Sequence, residues 1–256
     1  MNEHLMMRGS SGAQVGLFGD TAIKNGDARV GEQGKWLFHH SRATCLPYVS
    51  AYWENGYVME RLTPLDPALL DVTATITQMA RLLKRDIWSE DAEVELDMNE
   101  LVAHILPILH KYDPDLYGLG QSILLDIINA TRMTACLTHG DPTIDNVMVR
   151  HVDGGMVIID PLPARSYAPD LLAVDLGKLL QSAAGYEGDR YGYTPLPDEL
   201  APVLHELSEL DIDDYDLMGG IRFAFVHIVR ALPYLTDEPR KRILDGTMKR
   251  ILEYMP

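Results

Sequence analysis

Over the first 62 residues, apolar positions arrive in short runs separated by turn residues. EHLMMR gives way to GSSG, followed by AQVGLFG and DTAIKNG; later come LPYVSAYW and GYVMERL, joined by Glu54-Asn55-Gly56. Runs of this length closed by Gly, Asn and Asp read as strands with tight connections. One stretch of about ten residues, around RVGEQGKWLFHH, has helical spacing instead. Residues 1–62 are therefore expected to form a strand-rich unit with a single helix. Thr63-Pro64-Leu65-Asp66-Pro67 interrupts the pattern and marks a candidate hinge to a second part, 63–256.

Beyond that point the period changes. Leu69, Val72, Ile76, Met79, Leu82 and Leu83 recur at helical spacing, with Pro67 near the start. MNELVAHILPILHKY and YGLGQSILLDIINATR read as two more helices. After residue 134 the runs shorten again to ACLTHG, NVMVRH and GMVIID. Asp153-Gly154-Gly155 separates the last two, as in a hairpin. The remainder is helical, through DLLAVDLGKLLQS, PDELAPVLHELSEL, MGGIRFAFVHIVRALPYL and EPRKRILDGTMKRILEYM. The class is α+β, a small antiparallel unit followed by a mainly helical one.

Composition narrows the chemistry. A chain of 256 residues with 46% hydrophobic and 23% charged residues can bury a core. No apolar run reaches the length of a membrane span, and MNEHLMMRGSSG lacks the features of a signal peptide. Cys45 and Cys136 have no metal-site spacing and read as reduced core thiols of a cytoplasmic protein. The formal charge of −16 argues against nucleic acid, whose affinity rests on cations meeting phosphates. Acids gather at 89–100 and 206–216. They suit a solvated surface or a rim facing a cationic substrate, and charge alone does not separate the two.

The residues that carry chemistry lie in THGDPTIDNVMV, 138–149, and in VIIDP, which ends at Pro161. Asp141 and Asn146 have the D-x-x-x-x-N spacing of a kinase catalytic loop. There the carboxylate faces the attacking hydroxyl and the amide oxygen ligates metal. Asp160 closes an apolar strand, where a second hard oxygen ligand for Mg²⁺ is needed. His139 and Asp141 alone would also allow a hydrolase metal pair completed by His110, His151 or His205, but that leaves Asn146 and Asp160 without a task. Asp145 reads as an exposed loop acid, and Trp36 and Trp53 as packing. Trp88, beside an acidic loop, is a weaker candidate for lining a substrate pocket.

HGDPTIDNVMV, VIIDP and DLLAVDLGKLLQS together resemble the aminoglycoside phosphotransferase and choline kinase family, which has a two-lobed protein-kinase-like fold. The resemblance implies that Asp141 is the catalytic base, that Asn146 and Asp160 hold Mg²⁺, and that His139 braces the loop. Asp175 would anchor that loop. Asp160-Pro161-Leu162 departs from the Asp-Phe-Gly of protein kinases, which points away from a protein kinase. For ATP, Lys24 at a strand end would meet the phosphates and Glu32 in the next helix would pair with it, with Asp27 as competitor. Gly9-Ser10-Ser11-Gly12 would be the phosphate cover, although such a cluster alone is an ordinary turn. Met59 and Glu60, at the start of Met59-Glu60-Arg61-Leu62, would form the hinge whose main chain receives adenine.

The expected activity is therefore ATP- and Mg²⁺-dependent transfer of a phosphoryl group to a hydroxyl of a small molecule: a sugar, amino sugar or amino alcohol. Arg222, His227 and Arg230 are candidates for the acceptor site, against core or solvated roles. A protein-directed kinase of the toxin type, and a nucleotide-binding regulator without turnover, are the alternatives.

Overall fold

Short apolar runs near the N-terminus pair with one another as their turn residues imply. The computed structural model describes residues 6–8, 13–66, 70–89, 91, 98–130, 132–162, 169–187, 200–234 and 238–255. Ser10, Ser11 and Gly12, with Gly9, lie outside them. The chain divides into two compact units, Met1–Leu70 with Asn146–Pro163, and Asp71–Asp145 with Ala164–Pro256. The division thus falls later than residue 62, and the first unit recruits a distant segment.

In the first unit, β1 (Met6–Arg8), β2 (Gln14–Phe18), β3 (Thr21–Asn25), β4 (Val49–Trp53) and β5 (Gly56–Glu60) form an antiparallel sheet in the order β1-β2-β3-β5-β4. Alternation along β3 turns Ala22 and Lys24 to its buried side. Helix α1 (Ala28–His39) starts at Asp27, whose side chain accepts from Arg29 N–H at 3.1 Å. It lies so close to the strands that a Cβ on Gly34 would sit 2.5 Å from that of Tyr57.

The recruited segment is the expected hairpin, β7 (Val147–Arg150) and β8 (Met156–Ile158), turned at Gly154 with φ +70°. It pairs with β6 (Leu62–Pro64), so the candidate hinge at Thr63-Pro64 is a strand, and Leu62 faces Arg150. The Arg150 guanidinium donates to both Glu60 carboxylate oxygens at 3.1 Å and to the Leu46 carbonyl at 3.0 Å.

The second unit contains α2 (Val72–Asp86), α3 (Met98–Tyr112), α4 (Tyr117–Asn129), α5 (Leu172–Ala183), α6 (Leu200–Ser208), α7 (Asp214–Ala231) and α8 (Glu238–Glu253). Every residue of α5 except Lys178 is buried, the polar Asp175, Gln181 and Ser182 included. Gly177 and Gly220 let α5 and α7 approach closely; a Cβ on Gly220 would lie 2.7 Å from that of Leu176. ACLTHG forms no strand, and Ala135 makes only an isolated bridge to Leu171. Both cysteines are buried and free, and burial pushes the Cys136 thiol well above its ordinary value. Among the described residues, no helix is long and apolar enough to cross a membrane.

Candidate active site

Beyond its bridge to Leu171, the segment 134–140 ties several backbone N–H groups to carboxylates. Asp216 accepts from Thr134 N–H and hydroxyl at 2.8 and 2.6 Å, and Asp170 from the same groups of Thr138 at 3.1 and 2.7 Å. Fully buried Asp175 accepts from His139 N–H at 2.9 Å, Gly140 N–H at 2.7 Å and the Trp88 indole at 2.8 Å. The loop turns at Gly140, with φ +79°, where a side chain would strain the backbone. Burial raises the Asp175 carboxyl from 3.8 to about 6 even though these donors pull it down. Trp88 is therefore the anchor's second support. His139 is itself fully buried.

This bracing presents Asp141 directly after the anchored turn. Its carboxylate lies 3.0 Å from the Lys178 amine of α5, a partner absent from the expected site. Lys178 follows Asp175 by three positions, on the same side of the helix. Near the end of α5, buried Glu187 is pushed up to about 8, first by burial and then by Asp145, while Ser182 and Lys178 oppose the rise. Of the candidates on α7, Arg222 pairs with Asp126 at 3.5 Å and Arg230 lies 3.5 Å from His227. His227 is buried, its Nε2 is 3.1 Å from the Val174 carbonyl, and burial holds it well below its ordinary value.

In the first unit, Lys24 forms an ion pair with Asp160, and its amine lies 3.4 Å from Gln33 Oε1. Glu32 does not take the expected place: it is exposed, and Gln33, one position on, occupies the buried face of α1. A single helical step rotates a side chain by about 100°, which separates the two. Tyr57 Oη sits 3.5 Å from Asp160, and its hydroxyl is held well above its ordinary value by burial and then by that carboxylate. Asp160 adopts φ +60°, a left-handed conformation that Asp tolerates at a cost of about 1–2 kcal/mol. Ile159 N–H donates to the Asn146 carbonyl at 2.9 Å, so the register carries Asn146 and Asp160 to one end of the hairpin.

These groups suit Mg²⁺. Both contacts of Asp160 engage Oδ1, which leaves Oδ2 open among the described residues, and Asn146 adds an amide. No group of three or more His, Cys, Asp or Glu placed to hold a metal ion occurs among the described residues, and Mg²⁺ bound alongside phosphate oxygens needs none. The expected adenine hinge requires adjustment. Met59 lies inside β5, paired on both sides, while Glu60 and Arg61 N–H donate to Tyr48 and Asp20 carbonyls at 2.9 and 2.8 Å. Those two donors are committed within the unit.

No protein-family model and no curated protein matches the chain by sequence. Solved structures do match. Choline kinase LicA from Streptococcus pneumoniae aligns with TM-score 0.62 over 99% of this chain and 94% of its own, at 10% identity. A choline/ethanolamine kinase family protein from Mesorhizobium loti gives 0.60 over 98% and 87%, at 14% identity. A thermostable mutant of aminoglycoside phosphotransferase APH(4)-Ia, in a ternary complex with AMP-PNP and hygromycin B, gives 0.58 over 98% and 92%, at 10% identity. The chain has a protein-kinase-like fold. Within it, Lys24 and Asp160 come together in the first unit, and Asp141, His139 and Asp175 in the second. Sequence reasoning missed Gln33, Tyr57, Arg150 and Lys178. Two of these carried a signal: Gln33 shares helical spacing with Val30 and Leu37, and Lys178 is the lone cation of an apolar helix.

Proposed function

We propose that the chain belongs with the choline kinases and aminoglycoside phosphotransferases and transfers the γ-phosphoryl group of ATP to a hydroxyl of a small molecule. The observation that carries this is the turn at His139-Gly140, whose N–H groups are pinned by the buried Asp175 so that Asp141 projects from a braced loop. Phosphoryl transfer depends mainly on positioning and charge neutralisation, and such a loop supplies the first. The acceptor hydroxyl gives its proton to Asp141 while its oxygen bonds to the γ-phosphorus and the bond to the ADP oxygen breaks. Lys24 offsets phosphate charge and is itself oriented by Asp160. Asn146 and Asp160 would hold Mg²⁺, which neutralises charge on the phosphates when bound.

An ATP-consumption screen over sugars, sugar phosphates, amino alcohols and aminoglycosides tests the reading, with product identified by mass. Asp141→Ala is expected to lower kcat at least about 100-fold, the scale of a lost general base. Near-normal turnover in that variant, or phosphate appearing on protein and on none of these acceptors, would overturn it.

A further inference from the structure

Helix α5 addresses the catalytic loop with two charges of opposite sign. Asp175 takes the backbone N–H groups of His139 and Gly140; three residues later, Lys178 takes the carboxylate of Asp141. We propose that Lys178 is a positioning residue for Asp141, an ammonium that fixes the direction of the base. This rests on the phosphotransferase reading given above.

Several features support the assignment. The Lys178 side chain is only 15% exposed and that of Asp141 32%, so solvent screens their 3.0 Å contact less than a surface pair. α5 is buried at its other positions, which limits the paths open to the lysine stem. Two further titratable groups face Lys178 from neighbouring elements: Glu187, after the end of α5, and His227 of α7. Burial pushes the Glu187 carboxyl up to about 8 and holds His227 well below its ordinary value, so neither competes with the 3.0 Å pairing of Lys178 and Asp141. With one carboxylate oxygen tied to Nζ, the rotation of Asp141 about its side-chain bonds is restricted before the acceptor arrives. Lys178 exchanges no proton with substrate. Such preorganisation lowers the barrier without adding a contact to ATP, and its loss should appear in kcat more than in KM.

The test uses Lys178→Met, Lys178→Arg, Asp141→Asn and the Lys178→Met/Asp141→Asn double variant of the full chain. Lys178→Met is expected to lower kcat about 10-fold or more with the KM for ATP changed by less than about 3-fold, and Lys178→Arg to restore most of the loss. In the Asp141→Asn background, Lys178→Met should cost nothing further. A Lys178→Met kcat within about twofold of wild type, no recovery with Arg, or losses that multiply in the double variant would each overturn the assignment. Urea unfolding of the same four proteins reads the pair without turnover. Midpoint shifts that fail to add support the ion pair, and shifts that add refute it. If the wild type phosphorylates none of the acceptors, the functional reading falls and the unfolding cycle alone decides the pair.

Discussion

Asp175→Asn isolates the electrostatics of loop anchoring. The carboxylate receives three N–H donors, Trp88 and His139 on one oxygen and Gly140 on the other. An amide of the same shape keeps an oxygen for two of them and turns an NH₂ group toward the third. Leaving one buried donor unmatched costs about 1–3 kcal/mol. Burial works in the opposite direction, since it holds the wild-type carboxyl at about 6 rather than 3.8. At about 1.4 kcal/mol for each pKa unit, ionising it inside the protein costs about 3 kcal/mol. Between pH 3.8 and about 6 the unfolded chain has released this proton and the native chain still holds it, so stability falls as pH rises through that window. Asn has no such slope. The advantage of wild type over Asp175→Asn is therefore greatest near the acid end and shrinks by about 3 kcal/mol on the way to pH 7. Urea unfolding followed by tryptophan fluorescence, at pH values from about 4 to 7.5, measures the difference directly. A wild-type advantage that grows with pH would show that the donors outweigh burial, and the reasoning would fail.

Two further outcomes follow from the same kind of accounting. Arg150→Met strips both Glu60 carboxylate oxygens of the Nε–H they share and removes the Arg150 donor to the Leu46 carbonyl, while both charged side chains are less than one-fifth exposed. A loss of about 2–3 kcal/mol in urea unfolding is expected, below the range for fully buried pairs, and an unchanged midpoint would contradict it. Glu187→Gln removes a carboxyl raised from 4.5 to about 8. The wild type loses stability as pH rises through that interval, so the variant should gain on it progressively, by up to about 5 kcal/mol above pH 8, in unfolding measured at pH 5 and pH 8.5.

Much of the fold could be read locally because its signals are local. Asp153-Gly154-Gly155 announced the hairpin, and DLLAVDLGKLLQS read as a helix, as α5 is. The candidate catalytic loop was singled out by the spacing of Asp141, Asn146 and Asp160, and the anchoring by Asp175 that the resemblance implied is met by its bonds from His139 and Gly140 N–H. Glu32 was chosen as a carboxylate, with Asp27 as its competitor, although the buried face of α1 runs through Val30, Gln33 and Leu37. Face, rather than formal charge, decided which side chain reached Lys24. Trp88 had no such signal, since its partner is 87 positions away in the chain. The division between units was illegible for the same reason, resting on the pairing of Leu62 with Arg150.

That pairing constrains the order in which the molecule can be completed on the ribosome. β6 and the Glu60 carboxylate emerge early, but their partners in β7 leave the exit tunnel only after the whole stretch from Asp71 to Asp145. At about 5–20 residues per second, β6 waits several seconds for its partner, although the five-stranded sheet before it already has all its strands. A truncated chain ending at Leu70 would keep β6 without its β7 partner and Glu60 without Arg150.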